Sequence, residues 1–355
     1  MKVVFRADAS IHIGSGHIMR CLVLAKLLLA KGHNVLFVTR PQKGDFVSYL
    51  NNEGVEVIEL YQPAVSKSPK YNTDYAAWLQ VGWQEDAEEF LQKVSSADLV
   101  VVDHYSLNRE WEINISESLN AKVLVIDDLV RQHSADLILD QTFGRDTHDY
   151  LLKNNSCPIL AGSDFSLLVP EFSALRTNKR CCEKPIAQYK ILVSMGAIDK
   201  PNVTLKVLEK LQNINDVDLK VTVLLSERSP SYESVKEFCS EQTNIEHIAF
   251  STNMAHLMSE HHIAIGAPGS TSWERACLGL PSIIIPIADN QLDIARNVAN
   301  SGAAILLEVD RIPVDFVIVL KELIINWNKY HQASLKLTDG LGAERVVRAI
   351  EHLFE

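Results

Sequence analysis

The segment 8-DASIHIGSGHIMR-20 holds the residues whose types and spacing most directly suggest chemistry. Gly14 and Gly16 would let the backbone approach a ligand without obstruction by a Cβ atom. His17 opens an apolar run that predicts a helix over 17–31, and the positive end of that helix disfavours an imidazolium. A general base working near neutral pH must be a neutral histidine. The segment therefore predicts a catalytic loop, with a capping or turn role for His17 as the alternative.

A dinucleotide-binding fingerprint would also use two closely spaced glycines. It requires a small residue three positions after Gly16, where this chain has Met19. The second predicted strand ends in Thr39 and Arg40, which offer no carboxylate to a ribose hydroxyl. The sequence therefore speaks against NAD or NADP and predicts no cofactor.

A second glycine-rich segment, 263-IAIGAPGSTSWERACLGLPSIIIP-286, has the order strand, turn, helix, strand. Ser270 and Thr271 can cap the helix, whose first turn would then offer free N–H groups to a diphosphate. Glu274 in that turn would either bind two ribose hydroxyls or compensate the helix dipole. Two further strand-to-helix segments are phosphate-side candidates: 194-SMGAIDKPN-202 and 288-ADNQ-291.

The elements that must position these residues alternate along nearly the whole chain, which predicts an α/β fold with parallel sheets. Strands are predicted at 2–7, 34–39, 55–60, 98–103, 122–127, 136–140, 190–195, 219–225, 262–266 and 282–286. Helices are predicted at 17–31, 76–94, 107–119, 201–212, 231–241, 272–278, 289–300 and 341–355, and 61–75 is expected to be a surface loop. The corresponding domains are 1–160 and 189–340, with a linker region at 161–188 and a C-terminal helix at 341–355 that packs on a domain.

Composition narrows the classes of partner. A length of 355 residues is typical of two globular domains. The net charge of −11 opposes binding to nucleic acid, whose phosphates are bound mostly by Lys and Arg. No apolar run is long enough to insert into a membrane, and the chain opens on a strand rather than a signal peptide, which predicts a cytoplasmic protein. The six cysteines lack metal-ligand spacing and are expected to be reduced, buried thiols. No metal site is predicted, because Asp127 and Asp128 are interpreted as a solvated or capping pair at a strand end.

Six stretches carry a family resemblance: 6-RADASIHIGSGHIMRCLVLA-25, 101-VVDHYSLNREWE-112, 125-VIDDL-129, 268-PGSTSWERACLGLP-281, 289-DNQ-291 and 338-TDGLGAERVV-347. Together they resemble the UDP-2,4-diacetamido-2,4,6-trideoxy-β-L-altropyranose hydrolases of bacterial pseudaminic acid biosynthesis, over nearly the whole chain. That family is similar in fold to the glycosyltransferase MurG. The resemblance therefore implies an α/β fold of GT-B type, with two Rossmann-like domains facing a central cleft.

The resemblance also implies roles for individual residues. His17 matches the general base of the family, Tyr105 the tyrosine beside the reactive water, and Glu274 the glutamate that binds ribose. Asn290 and Gln291 match a segment that contacts the sugar. Taken together, the predicted ligand-binding residues are Asp8, Gly14, Gly16, Gly196, Asp199, Ser270, Glu274, Asn290 and Gln291.

The chain departs from the family pattern at two places. The family usually has GAGG where this chain reads 266-GAPG-269, and Pro268 removes one backbone N–H. The usual LLRPEF reads 167-LLVPEF-172, with Val169 in place of an arginine. Both departures concern contacts to UDP more than the reaction itself.

The activity implied by the resemblance is attack of water on the anomeric carbon of a UDP-linked diacetamido-trideoxy sugar, with inversion and release of UDP. The free sugar would serve flagellin glycosylation or a surface polysaccharide, and contacts with other enzymes of the pathway would be transient. Two alternatives stay open on the sequence: a GT-B glycosyltransferase that uses a UDP-sugar donor, and a UDP-sugar-binding regulatory module.

Overall fold

The computed structural model describes residues 1–71, 73–154, 157–177 and 184–355, and of Asn290 only the backbone. The chain divides into two compact units, each described here by itself. Unit 1 comprises Met1–Leu167 and Gly342–Glu355, and unit 2 comprises Leu168–Leu341. The linker expected at 161–188 is not a separate segment, because its described residues are shared between the two units.

Unit 1 contains a parallel sheet flanked by helices. Its strands are β1 (Lys2–Ala7), β2 (Asn34–Thr39), β3 (Glu56–Glu59), β4 (Leu99–Asp103), β5 (Lys122–Ile126), β6 (Leu137–Asp140) and β7 (Ile159–Ala161). Its first helices are α1 (Gly16–Ala30), α2 (Val47–Asn52), α3 (Trp83–Lys93), α4 (Arg109–Leu119) and α5 (Thr147–Leu151). The strand order is β3-β2-β1-β4-β5-β6-β7. Strands β1, β4 and β5 are nearly continuous apolar runs buried along their length, as expected for a sheet covered on both faces.

Unit 2 repeats this architecture with six parallel strands. They are β8 (Gln188–Ser194), β9 (Asp218–Leu224), β10 (Ile245–Ile248), β11 (Ile263–Gly266), β12 (Ser282–Ile284) and β13 (Ala304–Leu306), in the order β10-β9-β8-β11-β12-β13. The helices are α6 (Pro170–Thr177), α7 (Val203–Leu211), α8 (Tyr232–Ser240), α9 (Met254–Ser259), α10 (Ser270–Cys277), α11 (Leu292–Asn300), α12 (Ile312–Ile325) and α13 (Trp327–Ser334). The predicted α/β class with two Rossmann-like units is confirmed.

The last helix, α14 (Gly342–His352), returns to unit 1. Its buried side chains include Val346, Val347 and Ile350, and it lies against α1 and the 3-10 turn Ser163–Phe165. A Cβ atom at Gly342 would overlap the backbone of Ser166, so the start of α14 approaches that turn as closely as glycine allows. The amphipathic pattern of the sequence predicted a helix that packs on a domain, and in the structure this helix packs on unit 1.

Most helices and strands that the sequence did not predict are short, or their apolar residues show no periodic spacing. Strands β7, β10 and β13 have three or four residues and lie towards the outside of their sheets. Helix α12 is apolar around most of its circumference, with the sequence IPVDFVIVLKELII. Its apolar and polar residues therefore do not alternate with the helical period that would have predicted it. The helix expected over 76–94 begins only at Trp83, because Gln80 has a φ of 71° and breaks the helical path after the 3-10 turn Tyr75–Ala77.

Both sheets contain a topological switch point where neighbouring strands are not consecutive in sequence. In unit 1, β1 pairs with β4, and Ala7 lies beside Asp103. In unit 2, β8 pairs with β11, and Ser194 lies beside Gly266. Ligands of open parallel sheets bind beyond the carboxyl ends of strands at such points. His17 and Asp103 lie at the first of these places, and the Gly196 loop and α10 at the second.

Across the described ranges, no helix is long and apolar enough to cross a bilayer. Cys21, Cys239 and Cys277 are free and buried as expected, and burial raises the pKa of Cys239 to about 11 and that of Cys277 to about 12. Cys157 is free but only half-buried, so the expectation of burial is wrong there. Cys181 and Cys182 lie outside the described residues.

Candidate functional site

His17 is the second residue of α1, at the end of a tight turn that follows β1. The turn is closed by Gly14, whose N–H donates to Ser10 O over 2.8 Å and whose φ of 79° favours glycine. The Ser10 hydroxyl accepts from the N–H groups of His12 and Ile13. A Cβ atom at Gly14 or Gly16 would meet no atom within 4 Å, so the backbone here borders open space.

Asp103, at the carboxyl end of β4, orients the imidazole of His17. Asp103 Oδ1 lies 2.6 Å from His17 Nδ1, and Arg20 donates to both Asp103 oxygens over 2.6 Å. Burial alone would raise the pKa of Asp103, but the Arg20 guanidinium and His17 hold it well below its usual range. An ionised carboxylate only accepts hydrogen bonds, so Nδ1 of His17 carries a proton towards Asp103. In a neutral imidazole Nε2 is then the basic nitrogen.

Tyr105 packs perpendicular to His17, with ring centroids 4.8 Å apart. Two further neighbours are aromatic: Trp78 stacks on it at 5.4 Å, and the ring of Tyr75 lies 4.9 Å away. Trp78 and Tyr75 come from the segment that the sequence predicted as loop and helix. Gln80 fastens that segment, since its side chain accepts from the N–H of Lys67 over 2.7 Å and donates to Lys67 O over 2.9 Å.

The two aspartates after β5 are interpreted from the sequence as a solvated or capping pair. Asp127 is fully buried and accepts from the backbone N–H and Nε of Arg131 over 2.9 and 2.8 Å. The pKa of Asp127 is held below its usual range because hydrogen bonding from His133 and the Arg131 charge outweigh the opposing effect of burial. Asp128 is partly buried, and its Oδ1 accepts the hydroxyl proton of Tyr105. Solvation is therefore wrong for Asp127, which is buried, whereas its bond from the backbone N–H of Arg131 agrees with the capping alternative.

Asp8, predicted to bind ligand, is fully buried in an ionic cluster. It accepts from Arg6 over 2.5 and 3.0 Å, from the hydroxyl of Thr39 and from the N–H of Arg40. His104 Nε2 lies 3.3 Å from its second oxygen. Burial raises the pKa of Asp8, but Arg6 and His104 outweigh that effect and hold it below its usual range. These contacts account for Asp8 as a structural residue that joins β1 to β2 and β4.

Gly196 and Asp199 lie in the loop between β8 and α7 of unit 2. Gly196 has a φ of 89°, which favours glycine in this turn. The carboxylate of Asp199 is buried and accepts from the N–H groups of Val203 and Thr204 over 2.9 and 2.7 Å. Asp199 therefore ties the loop to the first turn of α7, and this role accounts for it without a ligand.

Helix α10 begins differently from the prediction. The residue before it is Gly269, with a φ of 149°, and its N–H donates to Ser272 Oγ over 3.3 Å. Ser270 is the first helical residue, and the Thr271 hydroxyl donates to Ala267 O over 3.5 Å rather than capping the helix. Capping by Ser270 or Thr271 is therefore wrong. The cap position is held by Gly269, whose φ would strain a residue with a Cβ atom, and the Ser272 hydroxyl accepts its N–H.

Glu274 is the fifth residue of α10, beyond the first turn in which a carboxylate compensates the dipole. Its Oε2 is buried and has no hydrogen-bond partner among the described residues. Burial raises the pKa of Glu274 to about 7, against the opposing charge of Arg275. A buried carboxylate oxygen without a donor costs free energy, and no donor among the described residues offsets that cost.

The segment after β12 forms the 3-10 turn Asp289–Gln291. Gln291 Oε1 accepts from the N–H of Ile287 over 2.8 Å, so this side chain helps to close its own loop. The side chain of Asn290 lies outside the described residues, and its predicted contact with the sugar stays a prediction. In the described part of the chain, no group of three or more His, Cys, Asp or Glu side chains is placed to hold a metal ion.

Sequence reasoning did not single out three residues that complete the site in unit 1: Asp103, Arg20 and Trp78. Asp103 had a signal, because it is a charged residue at the end of an otherwise apolar strand. Arg20 lies three residues after His17 on the same helix, where side chains share a face. No signal in the sequence pointed to Trp78, because it contacts His17 from an irregular segment.

The fold of this chain is shared with proteins of known structure. The crystal structure of MurG from Acinetobacter baumannii matches with a TM-score of 0.66 and 17% identity, covering 99% of this chain and 99% of that chain. This chain has the GT-B fold. Within the GT-B fold, residues 180–350 match the model of the glycosyltransferase family 28 C-terminal domain.

Two curated relatives match along most of the chain. The spore coat polysaccharide biosynthesis protein SpsG of Bacillus subtilis (strain 168) is 23% identical, covering 100% of this chain and 99% of its own length. The UDP-2,4-diacetamido-2,4,6-trideoxy-beta-L-altropyranose hydrolase of Campylobacter jejuni is 26% identical, covering 85% of this chain and 97% of its own length. The chain thus has the GT-B fold and is similar in sequence to proteins whose names refer to a UDP-sugar and to polysaccharide biosynthesis.

Proposed function

We propose that the protein hydrolyses a UDP-linked 2,4-diacetamido-2,4,6-trideoxy-L-altrose to the free sugar and UDP, as in pseudaminic acid biosynthesis. The observation that carries this proposal is the pairing of His17 Nδ1 with ionised Asp103 at 2.6 Å. That pairing leaves Nε2 as a base at the first helical turn, beside backbone that borders open space. A base oriented by a carboxylate is the arrangement that activates water or a hydroxyl for attack.

In the proposed reaction, Nε2 of His17 takes one proton from water as the water oxygen bonds to the anomeric carbon. The bond from that carbon to the β-phosphate oxygen breaks, and its electron pair leaves with UDP. Attack opposite the leaving group inverts the anomeric centre. His17 then returns its proton to solvent. UDP is a fair leaving group, so the proposal requires no metal.

Unit 2 would bind UDP. The N–H groups at the start of α10 suit a diphosphate, and the switch point between β8 and β11 brings the Gly196 loop to the same edge. The unpartnered Oε2 of Glu274 suits a ribose hydroxyl donor. Pro268 contributes no N–H, so a diphosphate would be bound by the amides that follow it. A cytoplasmic location and a role in flagellin glycosylation or surface polysaccharide belong to the same proposal.

A glycosyltransferase is the second candidate, since the C-terminal half matches a glycosyltransferase domain model and MurG shares the fold. A transferase would use the same UDP site and the same base, with an acceptor hydroxyl in place of water. Fold alone does not separate the two activities.

The deciding experiment incubates purified protein with UDP-linked diacetamido-trideoxy sugars in ¹⁸O-labelled water, with EDTA and without any acceptor. We expect stoichiometric UDP and free sugar, with the label on the sugar. His17→Asn is the inactive control. Little turnover until an acceptor is added would identify a transferase, and no turnover under either condition a binding module. Label in UDP would contradict attack at carbon.

A further inference from the structure

The ring of Tyr105 is fixed from several sides. It lies perpendicular to His17 at 4.8 Å and stacks on Trp78 at 5.4 Å. The Arg131 guanidinium lies 5.8 Å from its centroid, and Nη1 of Arg131 donates to the carbonyl oxygens of Tyr105 and Leu107 over 3.0 and 2.8 Å. With a ring held in this way, the remaining freedom of the side chain is the direction of its hydroxyl proton.

Asp128 decides that direction. Its Oδ1 accepts the Tyr105 hydroxyl, and its Oδ2 lies 3.4 Å from Arg20 Nη1, which keeps a positive charge beside the carboxylate. Nη2 of Arg145 donates to Asp128 O over 2.9 Å and fixes the backbone of the same residue. A phenol has one proton, and a carboxylate can only accept. The Tyr105 oxygen therefore faces its remaining surroundings as an acceptor.

We propose that Asp128 is a positioning residue for the attacking water, an inference that rests on the hydrolase function proposed above. By accepting the Tyr105 proton, Asp128 leaves the phenol oxygen to accept a hydrogen bond from the water. His17 Nε2 takes the other hydrogen of the same water. One hydrogen leaves as the proton on His17, and the other stays on the oxygen that becomes the anomeric hydroxyl of the sugar.

Two acceptors on neighbouring rings, whose centroids are 4.8 Å apart, would orient a water in a way that one acceptor does not. With both hydrogens engaged, a lone pair of the water is left to point at the anomeric carbon. Without Asp128, the Tyr105 proton is free to turn towards the water and occupy the oxygen lone pair that must attack the anomeric carbon. Tyr105 is thus assigned the role of acceptor rather than acid. Burial and the neighbouring Asp128 charge raise the pKa of Tyr105, so the phenol keeps its proton.

The test is a double-mutant cycle on UDP release, using wild type, Asp128→Ala, Tyr105→Phe and the double variant. A hydrogen bond to a charged group corresponds to about a tenfold to hundredfold effect, so Asp128→Ala should lower kcat by that factor and change KM less than about threefold. In the Tyr105→Phe background the same change should cost less than about twofold. Glu117→Gln, an exposed carboxylate on α4 of the same unit, is the matched control and should retain wild-type kcat.

A second readout needs no turnover. Tyrosine labelled with ¹³C at Cζ reports the partner of each phenol by NMR at neutral pH, and Tyr105→Phe identifies the Tyr105 signal. We expect Asp128→Ala to move that signal and Glu117→Gln to leave it in place. An unmoved signal, or an equal loss of kcat in both tyrosine backgrounds, would overturn the assignment of Asp128.

The two readouts also separate this inference from the function on which it rests. If wild type releases no UDP from any of the sugars while the Cζ signal responds to Asp128→Ala, the hydrolase function is rejected. The contact between Asp128 and Tyr105 is then only structural, and the water-positioning role is rejected together with the hydrolase function. UDP release by wild type with an unmoved Cζ signal rejects the role of Asp128 alone.

Discussion

At the scale of single residues, the chemistry of the site depends on a tautomer. His17 could present either nitrogen, and the sequence contains nothing that chooses between them. Asp103 makes the choice, since its pKa is held low by Arg20 and His17 against the effect of burial, and its ionised form requires a proton on Nδ1. The proposed base is thus His17 together with Asp103.

Our first prediction concerns that pair. His17→Asn should keep substrate binding and lower kcat by about 10²–10⁴. Asp103→Asn should lower kcat by a comparable factor, because its amide can donate to Nδ1 and leave the proton on Nε2. Steady-state kinetics measure both. The matched control is Asp86→Asn, another buried carboxylate that binds two arginines, Arg6 and Arg40; it should lose stability without a comparable loss of kcat. An Asp103→Asn enzyme with normal kcat would contradict the orienting role.

Our second prediction concerns Glu274, whose pKa burial raises to about 7. In the folded state the carboxyl keeps its proton up to that pH, whereas the unfolded chain releases it near 4.5. Stability should therefore fall as pH rises between these values, by up to about 3 kcal/mol, and Glu274→Gln should remove the loss. Denaturant unfolding of the unliganded protein at pH 5 and pH 8 measures the difference.

The same substitution should weaken binding of UDP. Glutamine replaces a charge-assisted acceptor for the ribose hydroxyls, so we expect a loss of about 1.5–3 kcal/mol, or roughly one to two orders of magnitude in Kd. Calorimetric titration at pH 8 measures it. A variant that becomes more stable at pH 8 but binds UDP as wild type does would show that Glu274 is buried for a reason other than ribose.

At the scale of elements, the two switch points differ in how closely the backbone segments approach one another. In unit 2, a Cβ atom at Gly266 would overlap the carbonyl oxygen of Ser194 on β8 and lie 2.5 Å from Arg275 Nη1 on α10. Only glycine permits this spacing between two strands and the following helix. In unit 1, Gly16 begins α1 and borders open space.

Our third prediction compares these two glycines. Gly266→Ala should destabilise unit 2 by about 1–3 kcal/mol, because β8 and α10 must move apart to admit a methyl group. Gly16→Ala should change stability by less than about 1 kcal/mol, since alanine is a better helix former and meets no neighbour. Unfolding curves measure both. If the space beside Gly16 belongs to the substrate, Gly16→Ala should raise KM while the fold is unchanged; equal destabilisation by the two variants would contradict the comparison.

At the scale of the whole molecule, the two compact units do not follow the two halves of the chain. Unit 1 is completed only when α14 returns to α1 and to the turn Ser163–Phe165 after all of unit 2 has been made. Val346, Val347 and Ile350 are buried there. Unit 1 is therefore incomplete in any chain that ends before α14.

Our fourth prediction is that a chain truncated after Leu341 keeps unit 2 and loses unit 1. Burial of three aliphatic side chains stabilises by about 1.5–3 kcal/mol each, a sum comparable to the whole stability of a typical domain. Hydrogen exchange resolved by peptide should show lost protection in β1, β4 and β5, with β8 and β11 of the same molecule as the internal control. Retained protection in β1 and β4 would mean that α14 is dispensable.

The sequence by itself determined the class of fold and the principal base candidate. Long apolar runs predicted the central strands β1, β2, β4, β5, β8 and β9, because parallel strands covered on both faces must be apolar along their length. Glycines followed by a histidine at a helix start predicted the position of His17. These are local properties, so neighbouring residues were enough to reveal them.

Only the tertiary structure decided which side chains meet. His17 and Asp103 are 86 residues apart and become neighbours because β4 pairs with β1, whereas β2 and β3 pair on the other side. A buried strand satisfies its apolar pattern in any position of the sheet, so the pattern does not encode strand order. The same holds for Asp128 beside Tyr105 and for Asp8 beside Thr39 and His104. Their partners are set by which strand ends lie side by side, and that is a property of the folded sheet alone.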